Sequence, residues 1–345
     1  AFVVDGSVDL SAPHGQRGTL LLDPYDLCIV AADPGTCGTL ASGTGTFTAG
    51  ASDSYVLTST LAGLSSTTNL VLQATNSIIF LSNLALNATT TPASQGSISL
   101  EAGNAIQMNG FSLTTGGGNI SMLAGAGGMS LGNLSAGTGA ITLGLTDANG
   151  TITQASGSSI VGTGGLTLTG GTLDLSQVNG YSGGTNVSGG TLAMSGSGTA
   201  GASAISVGSG ATLDVQNTLA NALTLNGGGT LETTSGTGIV NGLVTLNGGN
   251  AFATGNGARL TVNGVIGDGA SQGSLTVSGP GTVVLTGLNT YSGGTAVTGG
   301  TLQGDAGSLH GAIGLASATT LVFEQAANGT FNGSISGAGA VTKQS

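Results

Sequence analysis

Short alternations of apolar and small polar residues recur along this chain, most densely in its second half. Segments such as "ATLDVQ", "LVTLNG", "RLTVNG" and "SLTVSG" alternate over about five positions and stop at Gly or Asn-Gly. An alternation of period two predicts a strand with one buried face, and the glycine that follows predicts a tight turn. Glu, Lys and Arg are too scarce to give amphipathic helices a solvated face. The chain is therefore predicted to be all-β.

The spacing of the strands predicts how they assemble. Leucines that close a Gly-x-Leu or Gly-x-x-Leu step recur at Leu173, Leu192, Leu213 and Leu231, at intervals of 19, 21 and 18 residues. Further leucines follow at shorter intervals, so we expect a drifting period. Such intervals are too short for two-helix repeats or propeller blades. They favour one coil of a β-solenoid, in which stacking at about 4.8 Å buries a continuous apolar column. We expect a single elongated rod.

Composition and charge exclude several classes of partner. The chain has 345 residues, of which 68 are Gly, 5% are charged and 3% are aromatic, and its mean hydropathy is +0.35. The net charge is −11, and the bases are Arg17, Arg259 and Lys343. Three scattered bases cannot neutralise nucleic-acid phosphates or dock to anionic lipid. No run of 18 apolar residues predicts a membrane span. The N-terminal residues lack a signal-peptide pattern, and we expect a segment of a longer protein.

Two cysteines, Cys28 and Cys37, flank a turn signal, Asp33-Pro34-Gly35. In a secreted protein the expected arrangement is a disulfide between Cys28 and Cys37, and two free buried thiols are the alternative. Two cysteines without a nearby His cannot form a structural zinc site.

A dodecapeptide occurs twice, as "YSGGTNVSGGTL" at residues 181–192 and "YSGGTAVTGGTL" at residues 291–302, with ten of twelve letters identical. The segment "GPGTVVLTGLNTYSGGTAVTGGTLQ" resembles the autotransporter-associated β-strand repeat of bacterial passenger domains. We interpret each copy as a corner followed by a strand, rather than as tyrosines that stack on a ligand. The predicted corner residues are Tyr181, Gly183, Gly184, Tyr291, Gly293 and Gly294. The earlier copy carries about eight extra residues before its tyrosine. We expect a bulged loop there, carrying something specific.

The N-terminal part resembles a second group. "GTLLLDPYDLCIV", residues 18–30, is similar to the "LxLDPxxI" segment of filamentous-haemagglutinin-like exoproteins, and residues 55–80 are similar to the strand pair that follows it. Both groups are secreted by Gram-negative bacteria and form right-handed parallel β-helices. The resemblance implies a haemagglutinin-like part at 1–160 and an autotransporter-repeat part at 161–345, joined in one solenoid at the bacterial surface. It also implies that a bridge closing only a small loop obstructs secretion little.

Candidate catalytic and metal-binding residues are few. Asp174 and Asp214 both follow Thr-Leu, two predicted coils apart, at about 10 Å, which suits the carboxylate pair of an inverting glycosidase. No base or aromatic platform accompanies them, so we interpret both as solvated strand residues. Asp23 and Asp26 suggest either a calcium pair or turn chemistry, and turn chemistry is the simpler interpretation.

The remaining polar candidates favour surface positions. His14 and His310 lie at opposite ends of the chain without a nucleophile motif, and we place both in surface loops. The Asn-x-Ser/Thr triplets are interpreted as solenoid corners, with glycosylation as the alternative. They include Asn87, Asn119, Asn186, Asn328 and Asn332.

These features together predict a structural or adhesive segment of a secreted bacterial surface protein, not an enzyme, without cofactor or metal. Expected partners are another copy of the chain, by lateral or end-to-end association, or glycans and cell surfaces. Fibre or biofilm formation is one expected use. A non-catalytic polysaccharide-binding module is the first alternative, and a polysaccharide-degrading β-helix enzyme is the second.

Overall fold

The computed structural model describes residues 3–4, 19–22, 24–32, 38–40, 47–49, 54–63, 69–86 and 96–344. The chain divides into two compact units, Ala1–Gly183 and Gly184–Ser345, and each is described by itself. The predicted change of repeat type at residue 160, and the single rod, stay predictions.

Unit 1 consists of short strands and one five-residue helix among its described residues. The helix is α1, Thr58–Ala62. The strands are β1 Val3–Val4, β2 Thr19–Leu22, β3 Leu27–Val30, β4 Gly38–Leu40, β5 Phe47–Ala49, β6 Ser54–Leu57, β7 Asn69–Ala74, β8 Ser77–Phe80, β9 Leu84–Leu86, β10 Ile98–Ala102, β11 Ala105–Gln107, β12 Ser112–Thr115, β13 Ile120–Ala124, β14 Gly128–Leu131, β15 Asn133–Ser135, β16 Ile141–Leu145, β17 Thr151–Gln154, β18 Ile160–Gly162, β19 Leu166–Leu168, β20 Thr172–Leu175 and β21 Gly180–Tyr181.

Three parallel sheets form the faces of unit 1. Sheet 1A has the order β1-β6-β3-β8-β11-β14-β17-β20, sheet 1B has β2-β7-β10-β13-β16-β19, and sheet 1C has β9-β12-β15-β18-β21. From β7 to β21, successive strands belong to sheets 1B, 1A and 1C in turn, so each circuit is one coil of a solenoid. The pair β4–β5 is antiparallel. Stacked coils pair the backbone groups of each strand with the coils on either side.

Unit 2 consists of strands throughout its described residues. They are β22 Thr185–Val187, β23 Thr191–Met194, β24 Ile205–Val207, β25 Thr212–Val215, β26 Thr218–Leu219, β27 Leu223–Asn226, β28 Thr230–Thr233, β29 Thr237–Val240, β30 Val244–Asn247, β31 Gly249–Thr254, β32 Arg259–Val262, β33 Ile266–Asp268, β34 Ser274–Ser278, β35 Thr282–Leu285, β36 Thr295–Val297, β37 Thr301–Gly304, β38 Ile313–Leu315, β39 Thr320–Glu324, β40 Ile335–Gly337 and β41 Ala340–Gln344.

Unit 2 again stacks parallel strands into three sheets. Sheet 2A has the order β23-β25-β28-β31-β34-β36-β38-β40, sheet 2B has β22-β24-β27-β30-β33, and sheet 2C has β26-β29-β32-β35-β37-β39-β41. After β33 the coils keep strands only in sheets 2A and 2C. The predicted all-β parallel solenoid is confirmed in each unit.

The core of each unit is a column of apolar side chains in register, one from each coil. In sheet 1B the column comprises Leu72, Leu100, Met122, Leu143 and Leu168. In sheet 2A it comprises Leu192, Leu213, Leu231, Phe252, Val277, Val297 and Leu315. These side chains are almost fully buried. The alternation of each strand therefore has its apolar residues inward, as the sequence predicts.

The registers correct the predicted drift of the repeat. Counted along the column of sheet 2A, a coil takes 18 to 25 residues, and along sheet 1B it takes 21 to 28. The shorter intervals arose because Leu246, Leu260 and Leu275 lie on three different sheets, in β30, β32 and β34. Spacing along the chain does not distinguish a new coil from the next face of the same coil.

Candidate functional site

The tyrosines of the repeated dodecapeptide lie inside the solenoid wall. Tyr181 and Tyr291 are each 1% exposed. The Tyr291 hydroxyl lies 2.7 Å from Thr295 Oγ1, and its ring meets the His310 ring edge-on at 6.1 Å. Burial raises the pKa of Tyr291. Neither ring is available to stack on a ligand.

The glycines of the dodecapeptide sit where a side chain would collide with the preceding coil. A Cβ on Gly293 would lie 2.6 Å from a backbone carbonyl oxygen, and one on Gly183 would lie 2.4 Å from backbone atoms. Gly294 has a φ of +78°, which favours glycine, whereas Gly184 has only a contact of 3.3 Å. The close approach recurs in both copies, and the left-handed conformation is described for the second.

The prediction of a bulged loop before Tyr181 is wrong. Five residues, 176–180, separate the end of β20 from Tyr181, and five residues, 286–290, separate the end of β35 from Tyr291. The two copies differ earlier, where Pro280 adds one residue to the turn before β35. The apparent excess of about eight residues arises when β19, the strand before this turn, is counted in the first copy and its counterpart β34 is left out of the second. This loop therefore has no insertion that distinguishes it from its counterpart.

A buried asparagine two residues before each tyrosine was missed. Asn289 is 4% exposed; its Oδ1 accepts a hydrogen bond from Ile266 N at 2.8 Å, and its Nδ2 donates to Ser308 O at 2.7 Å. Asn179 likewise accepts from Ile160 N at 2.8 Å. The asparagine side chain thus takes the place of the backbone carbonyl of a neighbouring strand as hydrogen-bond acceptor, and in Asn289 it also takes the place of a backbone N–H as donor. The pattern Asn-x-Tyr-Ser-Gly-Gly-Thr, present in both copies, was the available signal.

The proposed glycosidase pair is not brought together by any described geometry, since Asp174 belongs to unit 1 and Asp214 to unit 2. The interpretation of Asp214 as solvated is wrong, because it is 4% exposed. Its carboxylate accepts hydrogen bonds from Thr234 N at 3.1 Å, Thr234 Oγ1 at 2.6 Å and Gln216 Nε2 at 2.7 Å. The carboxylate ties the end of β28 to β25.

A different carboxylate pair exists, and it was also missed. Asp214 and Glu232 are register partners on neighbouring strands of sheet 2A. Burial, with the Asp214 charge second, raises the pKa of Glu232. Two carboxyl groups with different environments are a known basis for acid–base chemistry. Here the three donors engage Asp214, and the simplest role of the pair is structural. The segments "TLD" and "TLE", 18 residues apart, were the signal.

The N-terminal candidates are described only in part. Asp26 is 1% exposed, and its Oδ1 accepts from Asn76 Nδ2 at 2.8 Å and from Ser77 N at 2.9 Å. Asp23 lies outside the described residues, so a calcium pair is not tested. Cys28 is fully buried in β3. Its predicted partner Cys37 lies outside the described residues, and the bridge stays a prediction.

Asp268, Ser292 and His310 meet at a corner of unit 2, but not as a catalytic triad. Ser292 Oγ donates to Asp268 Oδ2 at 2.6 Å, and Gly273 N and Ser292 N donate to Oδ1. The Ser292 hydrogen bond, followed by these backbone bonds and the His310 charge, lowers the pKa of Asp268. A triad requires the serine to be bound to the imidazole. This serine is bound to the carboxylate.

The remaining polar predictions have mixed outcomes. His310 is exposed, whereas His14 and Asn87 lie outside the described residues. Asn119 lies at a corner before β13, and its Oδ1 accepts from Ala140 N at 2.9 Å. Asn186 lies inside β22, so its interpretation as a corner is wrong. Asn328 and Asn332 lie in the exposed connection from β39 to β40.

Within the described ranges, no group of three or more His, Cys, Asp or Glu side chains could hold a metal ion. In the same part of the chain, no helix is long and apolar enough to cross a membrane.

A shallow groove lies on the outer face of sheet 1B. Its volume is about 310 Å³, and Gln73, Glu101 and Leu123 line it on consecutive coils in register. Glu101 accepts hydrogen bonds from Gln73 Nε2 at 2.7 Å and from Ser99 Oγ at 3.1 Å. The next position in the ladder is Gly144, which is buried and lies against the Thr169 side chain. The groove presents a carboxylate, an amide and an exposed leucine together.

A second cavity, of about 320 Å³, is lined by Phe323, Phe331 and Val341 at the last described coil. Val341 continues the buried column of Leu302 and Leu321 in sheet 2C but is 50% exposed. Ile335 is the register partner of the buried Ile313 in sheet 2A and is 38% exposed. β40 and β41 are the last described strands of sheets 2A and 2C.

Comparison with known proteins agrees with this architecture. The family model of the passenger-associated-transport-repeat matches residues 161–194 and 275–303, and each segment contains one complete copy of the dodecapeptide. The chain is also 36% identical over 190 residues to the adhesin BmaC autotransporter of Brucella suis biovar 1 (strain 1330). That alignment covers 53% of this chain and 5% of that protein. No solved structure gives a significant match.

The predicted resemblance to autotransporter passenger domains is therefore confirmed. The chain spans a small fraction of the relative that it matches. The resemblance of the N-terminal part to filamentous-haemagglutinin-like proteins stays a prediction.

Proposed function

We propose that this chain is a structural and adhesive segment of a secreted bacterial surface protein, a solenoid that holds binding surfaces outside the cell. The observation that carries the proposal is the similarity to an adhesin autotransporter over 190 residues. The fold is consistent with it, since coils paired through their backbones need no ligand to stay ordered. Adhesion to cells, association with other copies and biofilm formation are parts of this proposal.

The first test concerns location and adhesion. Antibodies raised against the chain should label intact, unpermeabilised cells of the source bacterium, and beads coated with the folded chain should bind cells or other surfaces. Beads coated with the heat-denatured chain are the matched control. Labelling only after permeabilisation, or equal binding by both bead preparations, would contradict the proposal.

A second candidate is binding of polysaccharide without catalysis, and the groove on sheet 1B favours it. The groove combines the hydrogen-bonding groups of Glu101 and Gln73 with the apolar surface of Leu123. A sugar is complementary to this combination, because it has hydroxyl groups and an apolar ring face. A glycan array should give hits that Leu123→Ser and Glu101→Gln weaken and that Glu324→Gln, in β39 of unit 2, leaves unchanged. An array without hits argues against this candidate.

We do not propose a polysaccharide-degrading enzyme. The hydrogen bonds that hold the Asp214 carboxylate leave it engaged in the fold. Asp174 has no described geometric relation to it.

A further inference from the structure

Three exposed apolar side chains form a ladder along one corner of unit 2. Leu243, Val265 and Leu288 are 54%, 38% and 72% exposed. Leu243 and Val265 immediately precede the register partners Val244 and Ile266, and Leu288 immediately precedes the asparagine that binds Ile266 N. We call these three residues the apolar ladder. A contiguous exposed apolar row carries more meaning than scattered leucines.

The backbone at this corner forces the ladder outward. The glycine before each member, at 242, 264 and 287, passes so close to the preceding coil that an added Cβ would lie 1.9, 1.8 or 2.4 Å from a carbonyl oxygen. Beside the glycines runs a polar ladder: Asn263 Nδ2 donates to Asn241 Oδ1, and Thr286 Oγ1 donates to Asn263 Oδ1, each at 2.8 Å. These polar groups bond to one another along the stack. The apolar side chains beside them have no such partner row.

The fold itself does not require large apolar residues at this position. In the two preceding coils it holds Ala204 and Ala222. In sheet 1B, Asn69 at the start of β7 and Asn119 just before β13 accept backbone hydrogen bonds from the next coil with their side chains. Unit 1 also has a lone exposed counterpart, Val178, which precedes Asn179 as Leu288 precedes Asn289. In the preceding coil the position equivalent to Val178 is held by Ser159, which is polar, so Val178 has no apolar neighbour at this corner in that coil.

We propose that the apolar ladder is the contact surface for a second copy of this chain, through lateral association of two solenoids. This deepens the self-association in the proposed function and rests on it. A row with one apolar side chain per coil matches in spacing the same row on another copy, and a self-complementary patch is what a two-fold interface needs. The corner segments 241–243, 263–265 and 286–288 contain no charge. Two copies of a chain with net charge −11 can therefore meet here without placing like charges in contact.

The small size of the ladder sets the strength of the contact. Stable interfaces bury about 1,200–2,000 Å² in total, and three partly exposed side chains per copy supply much less. A pair of chains in solution should therefore associate weakly. Many copies held side by side on one surface gain from effective concentration, so weak contacts become sufficient there.

The test is sedimentation of the 345-residue chain over a series of concentrations up to the millimolar range. We expect the wild-type sedimentation coefficient to rise with concentration. The triple variant Leu243→Ser, Val265→Ser, Leu288→Ser should associate at least about tenfold more weakly, since each substitution removes exposed apolar surface. The matched control is Val178→Ser, which removes a comparably exposed but isolated side chain and should behave as wild type. Circular dichroism checks that each variant keeps its strands.

A single variant, Leu288→Lys, keeps the test decisive if the triple variant does not fold. It places a charge in the ladder at its most exposed member and should weaken association in the same direction. Association through the ladder should persist in 1 M salt, because apolar contact is not screened.

Three outcomes would overturn the inference: a strictly monomeric wild type, a triple variant that associates as the wild type does, or a Val178→Ser effect as large as that of the triple variant. Binding of the wild type to phosphatidylcholine vesicles without self-association would assign the ladder to a lipid surface instead. A monomeric wild type whose beads still adhere to cells would remove this inference and leave the proposed adhesive function standing.

Discussion

Replacing Asn289 with Ala should destabilise unit 2 more than any exposed polar substitution. The side chain is 4% exposed and connects Ile266 N to Ser308 O across successive coils. Alanine leaves that amide and that carbonyl buried without these partners. An unsatisfied buried polar group costs about 1–3 kcal/mol, so two give about 2–6 kcal/mol. Entry of water into the vacated space would place the result near the lower bound.

The matched control is Asn263→Ala, which removes an asparagine at a nearby corner of the same unit. Asn263 is exposed, and its side chain donates to Asn241 Oδ1 and accepts from Thr286 Oγ1. Water replaces those bonds, so the expected loss is about 0.5–1.5 kcal/mol or less. The contrast between the two variants therefore isolates burial, because both remove the same chemical group.

The assay is urea unfolding followed by circular dichroism, with the slope of the transition compared between variants. Stacked repeats can unfold in segments, so amide hydrogen exchange should accompany it. In Asn289→Ala the amide of Ile266 should exchange faster, whereas Asn263→Ala should leave it protected. If the two variants lose the same stability, within about 0.5 kcal/mol, the side chain of Asn289 is not the bridge we infer.

Three further predictions follow from the same geometry. Burial and a neighbouring carboxylate raise the folded-state pKa of Glu232, so the favourable contribution of its protonated form is lost as pH rises through that pKa. In urea unfolding, Glu232→Gln should therefore be more stable than wild type at pH 7 and should lose this advantage at pH 4. A stability difference that does not depend on pH would contradict this prediction. Gly293→Ala should lower the thermal midpoint because its Cβ meets a carbonyl oxygen at 2.6 Å, whereas Gly314→Ala has no atom within 4 Å and should be neutral or stabilising; equal effects would refute the steric argument. Tyr291→Phe leaves the buried Thr295 hydroxyl without its 2.7 Å partner and should cost about 1–3 kcal/mol in denaturant unfolding, and an unchanged midpoint would remove that hydrogen bond from the account.

Local patterns were sufficient to predict the class of fold. The alternation in segments such as "RLTV" and "SLTV" places every second residue inward whatever the tertiary structure is, and β32 and β34 follow it. Glycine after each strand gives tight turns, and their repetition leaves stacking as the way to bury the apolar face. These arguments depend on neighbours in sequence, which the sequence displays directly.

The length of a coil and the candidate sites were not accessible in the same way. Leu246 and Leu260 look like successive repeats, but they occupy different faces, because face and coil depend on where the chain turns. Asp214 looked solvated, yet Thr234 and Gln216 enclose it from the next coil and its own. Side chains about 20 residues apart become neighbours only after the register is set.

The sequence alone thus determined the all-β solenoid class, because periodicity and turn chemistry are local properties. The tertiary structure alone decided which groups meet between coils. It placed Asn289 between two backbones, paired Glu232 with Asp214, and aligned Leu243, Val265 and Leu288 in one exposed row. A displacement of one residue in register exchanges inside and outside, so such contacts are fixed by stacking and not by any single strand.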